Sequence, residues 1–310
     1  MSIGLCCQYL EFEKNNSSGE HVYKNIMSES NLQYGQYCKG KYNTNKIEST
    51  WISNINNLFS AIKRINSEGF KVFRFSSTLF PLYESEQNLL NNSLEIKNIL
   101  CQIGKYVKDN NIRITTHPDQ FVVISSNKQD VIDKSIKMLE HHAWIMDNME
   151  LPESQFYCIN IHGGTKGNSN ILIDSIKKLP KNVKSRLTLE NDEKCYNVKD
   201  LFEVYEETGT PIVFDSHHHS FNDNQMSSYD GFLLSKKTWG EIKPLTHLSN
   251  TTPGLENAVF NKKRQHSDYV HYIPEWQKEQ NNINLIDIDF EFKMKNLAIL
   301  KAINDFNIIL

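Results

Sequence analysis

Eight short apolar runs alternate with longer amphipathic stretches along this chain, and that alternation admits very few architectures. The runs cover residues 3–8, 70–75, 112–116, 156–161, 187–189, 211–214, 244–248 and 285–292. Each is rich in Ile, Val, Leu or Phe, as strands covered on both faces should be. Between them the apolar spacing lengthens to three or four residues. Residues 51–67 put Ile52, Ile55, Leu58, Phe59, Ile62 and Ile65 on one helical face, and 89–108 and 131–148 read the same way. A weaker helical pattern covers 227–239, and Ser67-Glu68-Gly69 is a helix stop ahead of a strand. Strict strand–helix alternation makes a parallel sheet, and eight units close it into a (β/α)8 TIM barrel. The rival is an open doubly wound sheet. No G-x-G-x-x-G or phosphate loop follows any run, which counts against it.

The length agrees with one barrel domain over 1–310: 310 residues against ~250 for a bare barrel plus insertions. Two segments read as insertions. Residues 11–50 are rich in Asn, Ser, Lys and Tyr, and 250–267 are polar and contain Asn261-Lys262-Lys263-Arg264. Both follow strand candidates, so both belong to the C-terminal face, where long loops bind substrate. A net charge of −3 argues against a protein that coats DNA by bulk charge, while leaving room for a local basic patch. The 6 cysteines are scattered without a C-x-x-C pair and read as reduced thiols of a cytoplasmic protein. The opening MSIGLCCQYL is not a signal peptide, and no apolar run approaches the ~20 residues of a membrane span.

The chemistry sits at the strand ends. The third run leads into His117, the fourth into His162, the fifth into Glu190 and the sixth into Asp215-Ser216-His217-His218-His219. The seventh carries His247, with His266 in the loop after it, and the eighth carries Glu291. One histidine at a strand end is ordinarily a satisfied polar residue. Six consecutive strands ending in His, Asp or Glu are a constellation, on the face where barrel enzymes draw residues from several strands. Mixed imidazole and carboxylate donors suit Zn²⁺, Mn²⁺ or Fe²⁺, not Ca²⁺. The donors exceed what one ion needs, so at least two are expected, in the arrangement that clamps the attacking and leaving oxygens of a phosphodiester. Asp215 and His218 share a site if the chain turns after the strand. His217 is expected to point elsewhere, and His219 stays open between ligand, support and packing. His141 and His142 lie in a helical stretch and read as structural; His21 and His271 give no signal.

The segments His117-Pro-Asp-Gln-Phe121, Ile161-His-Gly-Gly164, Leu187-Thr-Leu-Glu-Asn-Asp192, Val213-Phe-Asp-Ser-His-His218, Thr246-His-Leu-Ser249, His266-Ser-Asp-Tyr-Val270 and Glu291-Phe-Lys293 occur in this order. Together they resemble the UV damage endonuclease family, over about residues 70–296, and that family is related to the endonuclease IV type of barrel. The resemblance implies an enzyme that cuts damaged double-stranded DNA immediately 5′ to a pyrimidine dimer or 6-4 photoproduct, leaving a 3′-hydroxyl and a 5′-phosphate for excision repair. It implies divalent ions, manganese first, with zinc or magnesium as alternatives. Carried over by motif, the metal ligands are His117, His162, Glu190, Asp215, His218, His247, His266 and Glu291. Glu190 is expected to bridge two ions, and Lys293 to offset phosphate charge on the face of Glu291, where a supporting salt bridge is the equal alternative. Gln120 and Phe121 match a Gln-Tyr pair that wedges into the duplex opposite the lesion; Phe keeps the stacking face. Tyr9 and Arg74 are expected as further lesion contacts, and Lys262, Lys263 and Arg264 as phosphate contacts, favoured over a merely solvated loop.

Two positions depart from the family pattern. Ser85, beside Glu84 and Glu86, stands where a further histidine is usual. Leu245 stands for a lysine two residues before His247, with Lys243 two positions further back. Other readings are an abasic-site endonuclease, a metal-dependent sugar isomerase or epimerase on the same barrel, and a non-catalytic damage sensor. Glu190, Asp215 and Glu291 argue against the sensor, and the Gln120-Phe121 tip and basic loop argue against the sugar enzyme. A monomer is expected, because a duplex must lie across the open barrel mouth.

Overall fold

A computed structural model describes residues 3–27 and 29–308. All eight expected runs are strands: β1 (Ile3–Cys6), β2 (Val72–Phe75), β3 (Arg113–Thr116), β4 (Ile159–His162), β5 (Leu187–Glu190), β6 (Ile212–Asp215), β7 (Leu245–Leu248) and β8 (Asp287–Phe290). They pair in parallel in sequence order, and β1 closes on both β2 and β8, with Gly4 opposite Val72 and Asp289. The principal helices are α1 (Thr44–Ser67), α2 (Leu94–Asp109), α3 (Gln129–Asn148), α4 (Ser169–Lys178), α5 (Val198–Thr208), α6 (Ser228–Lys236), α7 (Glu275–Asn282) and α8 (Lys295–Phe306). Among the described residues no helix is long and apolar enough to cross a membrane.

Alternation along each strand sorts the side chains. One parity faces the helices: Ile3, Leu5, Phe73, Phe75, Ile114, Ile159, Ile161, Leu187, Leu189, Ile212, Phe214, Leu248, Ile288 and Phe290 all join one buried apolar cluster with the helices' inner faces. The other parity lines the barrel interior, which is mostly polar. Near its floor, Arg113 pairs with Asp287 at 2.9 Å, and its guanidinium lies 5.1 Å from the Trp239 ring. Beside this pair, Val72, Cys158, Val213 and Leu245 form a small apolar cluster with Trp239. Further toward the mouth, the same parity brings in Arg74, Thr115, Asn160, Glu190, Asp215, His247 and Asp289. A buried charge needs a partner or a hydrogen-bonding shell, so this interior demands its own polar network.

The irregular elements depart from the sequence reading. The segment 11–50 is no loose insertion: it holds a hairpin of Leu10–Asn15 and His21–Asn25, a helical turn at Tyr34–Tyr37 and the first turns of α1. That helix starts at Thr44 because Asn43 caps it, accepting from the Lys46 N–H at 2.8 Å, and because Ile47 and Trp51 extend its buried stripe. The stretch 89–108 is two helices, Gln87–Asn92 and α2. They break at extended Ser93, whose hydroxyl accepts from the Ile96 N–H and starts the second helix. The loop 250–267 is tied by a bridge between Thr251 and His266 and carries the short helix Phe260–Lys263.

Candidate metal centre

Glu190, at the end of β5, is the hub of the mouth. Its carboxylate is 1% exposed; Oε2 lies 3.2 Å from both His117 Nε2 and His247 Nδ1, and Oε1 lies 3.3 Å from His218 Nδ1. His247 Nδ1 is also 3.0 Å from Glu291 Oε1, and His266 Nδ1 is 3.8 Å from Glu291 Oε2. The His162 ring lies 5.0 Å from that of His117 and 5.4 Å from that of His218. After β6 the chain turns at once into the helical turn Ser216–His219. Asp215 caps this turn by accepting the His218 N–H at 2.7 Å, which returns the His218 ring to within 4.0 Å of Asp215 Oδ2. All eight side chains singled out as ligand candidates therefore meet in one network.

The donors fit divalent ions. Two sets of three, His117 with His162 and Glu190, and Glu190 with Asp215 and His247, offer ligand atoms within 4.8 Å of one another. Nδ1 of His162, Oδ2 of Asp215 and both ring nitrogens of His247 are buried without a hydrogen bond. Carboxylate oxygens lie near His247 Nδ1, yet at angles that make no hydrogen bond. Orphaned buried polar atoms are costly, and donors converging without bonding one another suit a shared cation.

The charges point the same way. Burial opposes ionisation of Glu190, but His247 and His162 outweigh it and hold the carboxyl well below the usual carboxylate range. Burial opposes Glu291 too, and Arg74 and His247 overcome it. Burial likewise disfavours the protonated rings, but Glu190 and Glu291 push His247 well above the ordinary imidazole range, and Asp215 and Glu190 do the same for His218. Imidazole protons thus compensate the buried carboxylates, and a divalent cation would displace them.

Sequence reasoning passed over several supporting groups. Asn160 donates to Glu190 Oε2 and accepts from Thr188 Oγ1 at 2.9 Å. Its place two residues before His162, hence on the same strand face, was the available signal. Asn191 braces β6, accepting the Asp215 N–H and donating to the Asp215 carbonyl, both at 2.9 Å. Glu193 reaches to 4.0 Å from His218 Nε2 and pairs with Arg264. No spacing in the sequence marks it.

Other expected residues fall differently. Phe121 is 76% exposed at the tip of the turn after β3, with Gln120 exposed beside it. Both line a cleft of about 480 Å³ together with His117, Glu190 and Glu291. Arg74 lies in that cleft, but its guanidinium is engaged by Glu291 and approaches Asp289 at 3.9 Å, so it is a counter-charge within the centre and not a free DNA contact. Tyr9 is not at the mouth: it is 2% exposed, and its hydroxyl meets Glu68 and Arg64 behind the barrel. Lys293 does not join the cluster either. β8 has ended, and the half-exposed ammonium lies 3.7 Å from Asp268. Lys262 is exposed, Lys263 lies 5.4 Å over the Phe221 ring, and Arg264 holds Glu193.

His217 hydrogen-bonds the Arg264 carbonyl at 3.3 Å, and His219 packs under Phe214 with Nε2 3.0 Å from the Met226 carbonyl. His141 stacks on Tyr83 at 3.6 Å and His142 on Phe75 at 6.3 Å, both buried. Ser85 sits in a turn outside the cluster, bonded to the Leu82 carbonyl. Leu245 belongs to the apolar cluster of the barrel, and Lys243 cannot replace the missing lysine, because it lies near the floor with its ammonium 2.6 Å from Asp287.

The UV-endonuclease UvdE family model matches residues 5–309. A UV DNA damage endonuclease of a Nostoc species is 36% identical over 261 residues, 82% of this chain and 77% of that protein. One from Bacillus velezensis is 31% identical over 291 residues, 90% and 88%. The crystal structure of SacUVDE superposes over 100% of both chains with a TM-score of 0.80 at 28% identity. Endonuclease IV from Thermus thermophilus covers 80% of this chain and 92% of its own, at a TM-score of 0.57 and 12% identity, and shares the fold alone.

Proposed function

This chain belongs to the UV-endonuclease family, and we propose that it cuts damaged duplex DNA immediately 5′ to UV photoproducts and similar distorting lesions, leaving a 3′-hydroxyl and a 5′-phosphate. The observation that carries this reading is the sharing of Glu190 between two donor triads in the same cleft as the exposed Phe121. One feature suits hydrolysis of a phosphodiester, the other suits entry into a weakened base stack. Divalent ions bound here, at least two and with manganese first, would polarise the scissile phosphate and acidify water.

The chain's own residues do the rest. His117 and His162 in one donor set, and Asp215 and His247 in the other, would hold divalent ions, with Glu190 common to both sets. Glu291, His266 and His218 complete the wall. Asn160 fixes the Glu190 carboxylate, so its direction is set before substrate arrives. Arg74 keeps Glu291 ionised. Gln120 and Phe121 would fill the gap where a lesion has weakened stacking, because unstacking costs less there. Lys262 and Lys263 would meet phosphates beyond the cut. The protein acts as a monomer in this reading, with the duplex lying over the mouth.

Testing it takes end-labelled duplexes with one cyclobutane dimer, one 6-4 photoproduct, one abasic site or no damage, incubated with protein and manganese. Cutting just 5′ to the photoproducts, blocked by chelator, is expected. Glu190→Gln should lose at least ~10³-fold in cutting rate, the scale of removing a central electrostatic group, while still binding the duplex. Cutting at the abasic site alone moves the protein to the neighbouring nuclease activity, and full activity of Glu190→Gln sinks the bridging role.

A further inference from the structure

The strand order sets β3 and β7 four places apart in a ring of eight, directly across the mouth from each other. The turn after β3 carries Phe121. The loop after β7 carries Val259, which is 71% exposed, with Phe260 beside it at 37%. An apolar side chain at a loop tip is ordinary when taken alone. Three further observations single this one out.

Its mounting is stiff. Val259 heads the Phe260–Lys263 helical turn, and its carbonyl accepts the N–H groups of Lys262 and Lys263 at 2.8 and 3.1 Å. Thr251 Oγ1 holds the Lys263 carbonyl at 2.8 Å, and Phe260 lies edge-on to Phe221 at 5.6 Å. Its surroundings are basic. Residues 250–267 contain Lys262, Lys263 and Arg264 against the single acid Glu256, and Lys194 lies 4.9 Å over the Phe260 ring. Its foot stands in the mouth, since Arg264 pairs with Glu193, whose carboxylate is 4.0 Å from His218. A rigid apolar tip among cations, on the rim of a phosphodiester-cutting centre, matches the chemistry of a duplex: phosphates take the charges, and sugar edges or a base step take the apolar tip.

We infer that Val259, supported by Phe260, is a second apolar probe of the duplex, carried by the loop after β7 and leaning on the loops after β5 and β6, so that a lesion is met by two separate tips on the rim of the mouth. The inference rests on the functional reading above. Undamaged, stiff DNA meets at most one tip. Only a duplex that bends at a lesion reaches both, so the contact adds selectivity for damage and not general affinity.

The test measures equilibrium binding of the full chain, in the Glu190→Gln background to prevent cutting, to dimer-containing and undamaged duplexes over a range of salt. Val259→Asn should weaken binding to the damaged duplex about tenfold, the effect of one buried apolar side chain of this size, and Val259→Ala several-fold. Phe121→Ala should act similarly, and the double variant should lose discrimination. Affinity for undamaged duplex and the salt slope should stay unchanged, because no phosphate contact is removed. Unchanged binding by Val259→Asn overturns the probe. So does equal loss on both duplexes with a shallower salt slope, which would make the loop a backbone clamp. If the parent itself does not prefer the damaged duplex, the functional reading fails and takes the probe with it; if it does and the variants do not differ, the probe alone fails.

Discussion

At the scale of single residues, the centre is arranged so that neighbours decide protonation, and His142 shows the same physics where burial outweighs its neighbours. Its ring is buried behind β2, stacked on Phe75, and donates to the Met138 carbonyl at 2.7 Å. Burial lowers its pKa from 6.5 to about 4. A histidine with a depressed folded pKa contributes stability that is complete above its unfolded pKa and is lost as pH falls. The window here therefore runs from about pH 6.5 down to about 4, with a contribution on the order of 3 kcal/mol. In chelator, the unfolding midpoint of the wild type should drop across that window, and His142→Phe should flatten the drop; parallel curves for the two proteins would refute it. The strand-end donors were legible because parity places them: a residue two before or after an inward-facing ligand is itself inward. Tyr9 and Lys293 were misplaced because they lie beyond strand ends, where parity no longer governs direction. Glu193 was invisible because only the folded loops bring it to His218.

At the scale of elements, the strands were readable because each is a two-faced object whose outer face must be apolar, and the hairpin was not, because it buries so little. Phe12, for example, is 54% exposed. The closure of the barrel depends on one glycine. A Cβ at Gly4 would stand 2.0 Å from the Val72 carbonyl oxygen and 2.4 Å from the Val72 Cβ, inside the seam where β1 meets β2. Gly4→Ala must push the two strands apart, at a cost of more than ~4 kcal/mol. Urea titration should show a collapsed midpoint or no folded protein at all. Gly254→Ala, where nothing lies within 4 Å of the added carbon although φ is +85°, should cost only about 1 kcal/mol. Equal losses in the two variants would show that the seam has room. The break at Ser93 was missed for a related reason: periodicity on both sides is helical, and one serine that caps forward outweighs it.

At the scale of the whole molecule, the protein is a barrel with a paired floor, an apolar cluster and a polar mouth, and the loops that cross the mouth carry what the sequence alone could not place. The cluster of Val72, Cys158, Val213 and Leu245 with Trp239 fills the barrel beneath Arg74, Asn160, Asp215 and His247, which follow two residues later on the same strands. Its consequence concerns traffic. Hydrated ions do not pass a barrel interior filled with side chains, so the centre opens at its mouth, where the duplex would lie in the proposed reading. A metal loaded before DNA arrives would then be sealed in for the lifetime of the complex. Chelator added before the duplex should abolish cutting at once. Chelator added to a complex assembled at low temperature should leave the first turnover intact and stop only the next. If both orders of addition give the same immediate block, ions leave by another route and the floor is porous.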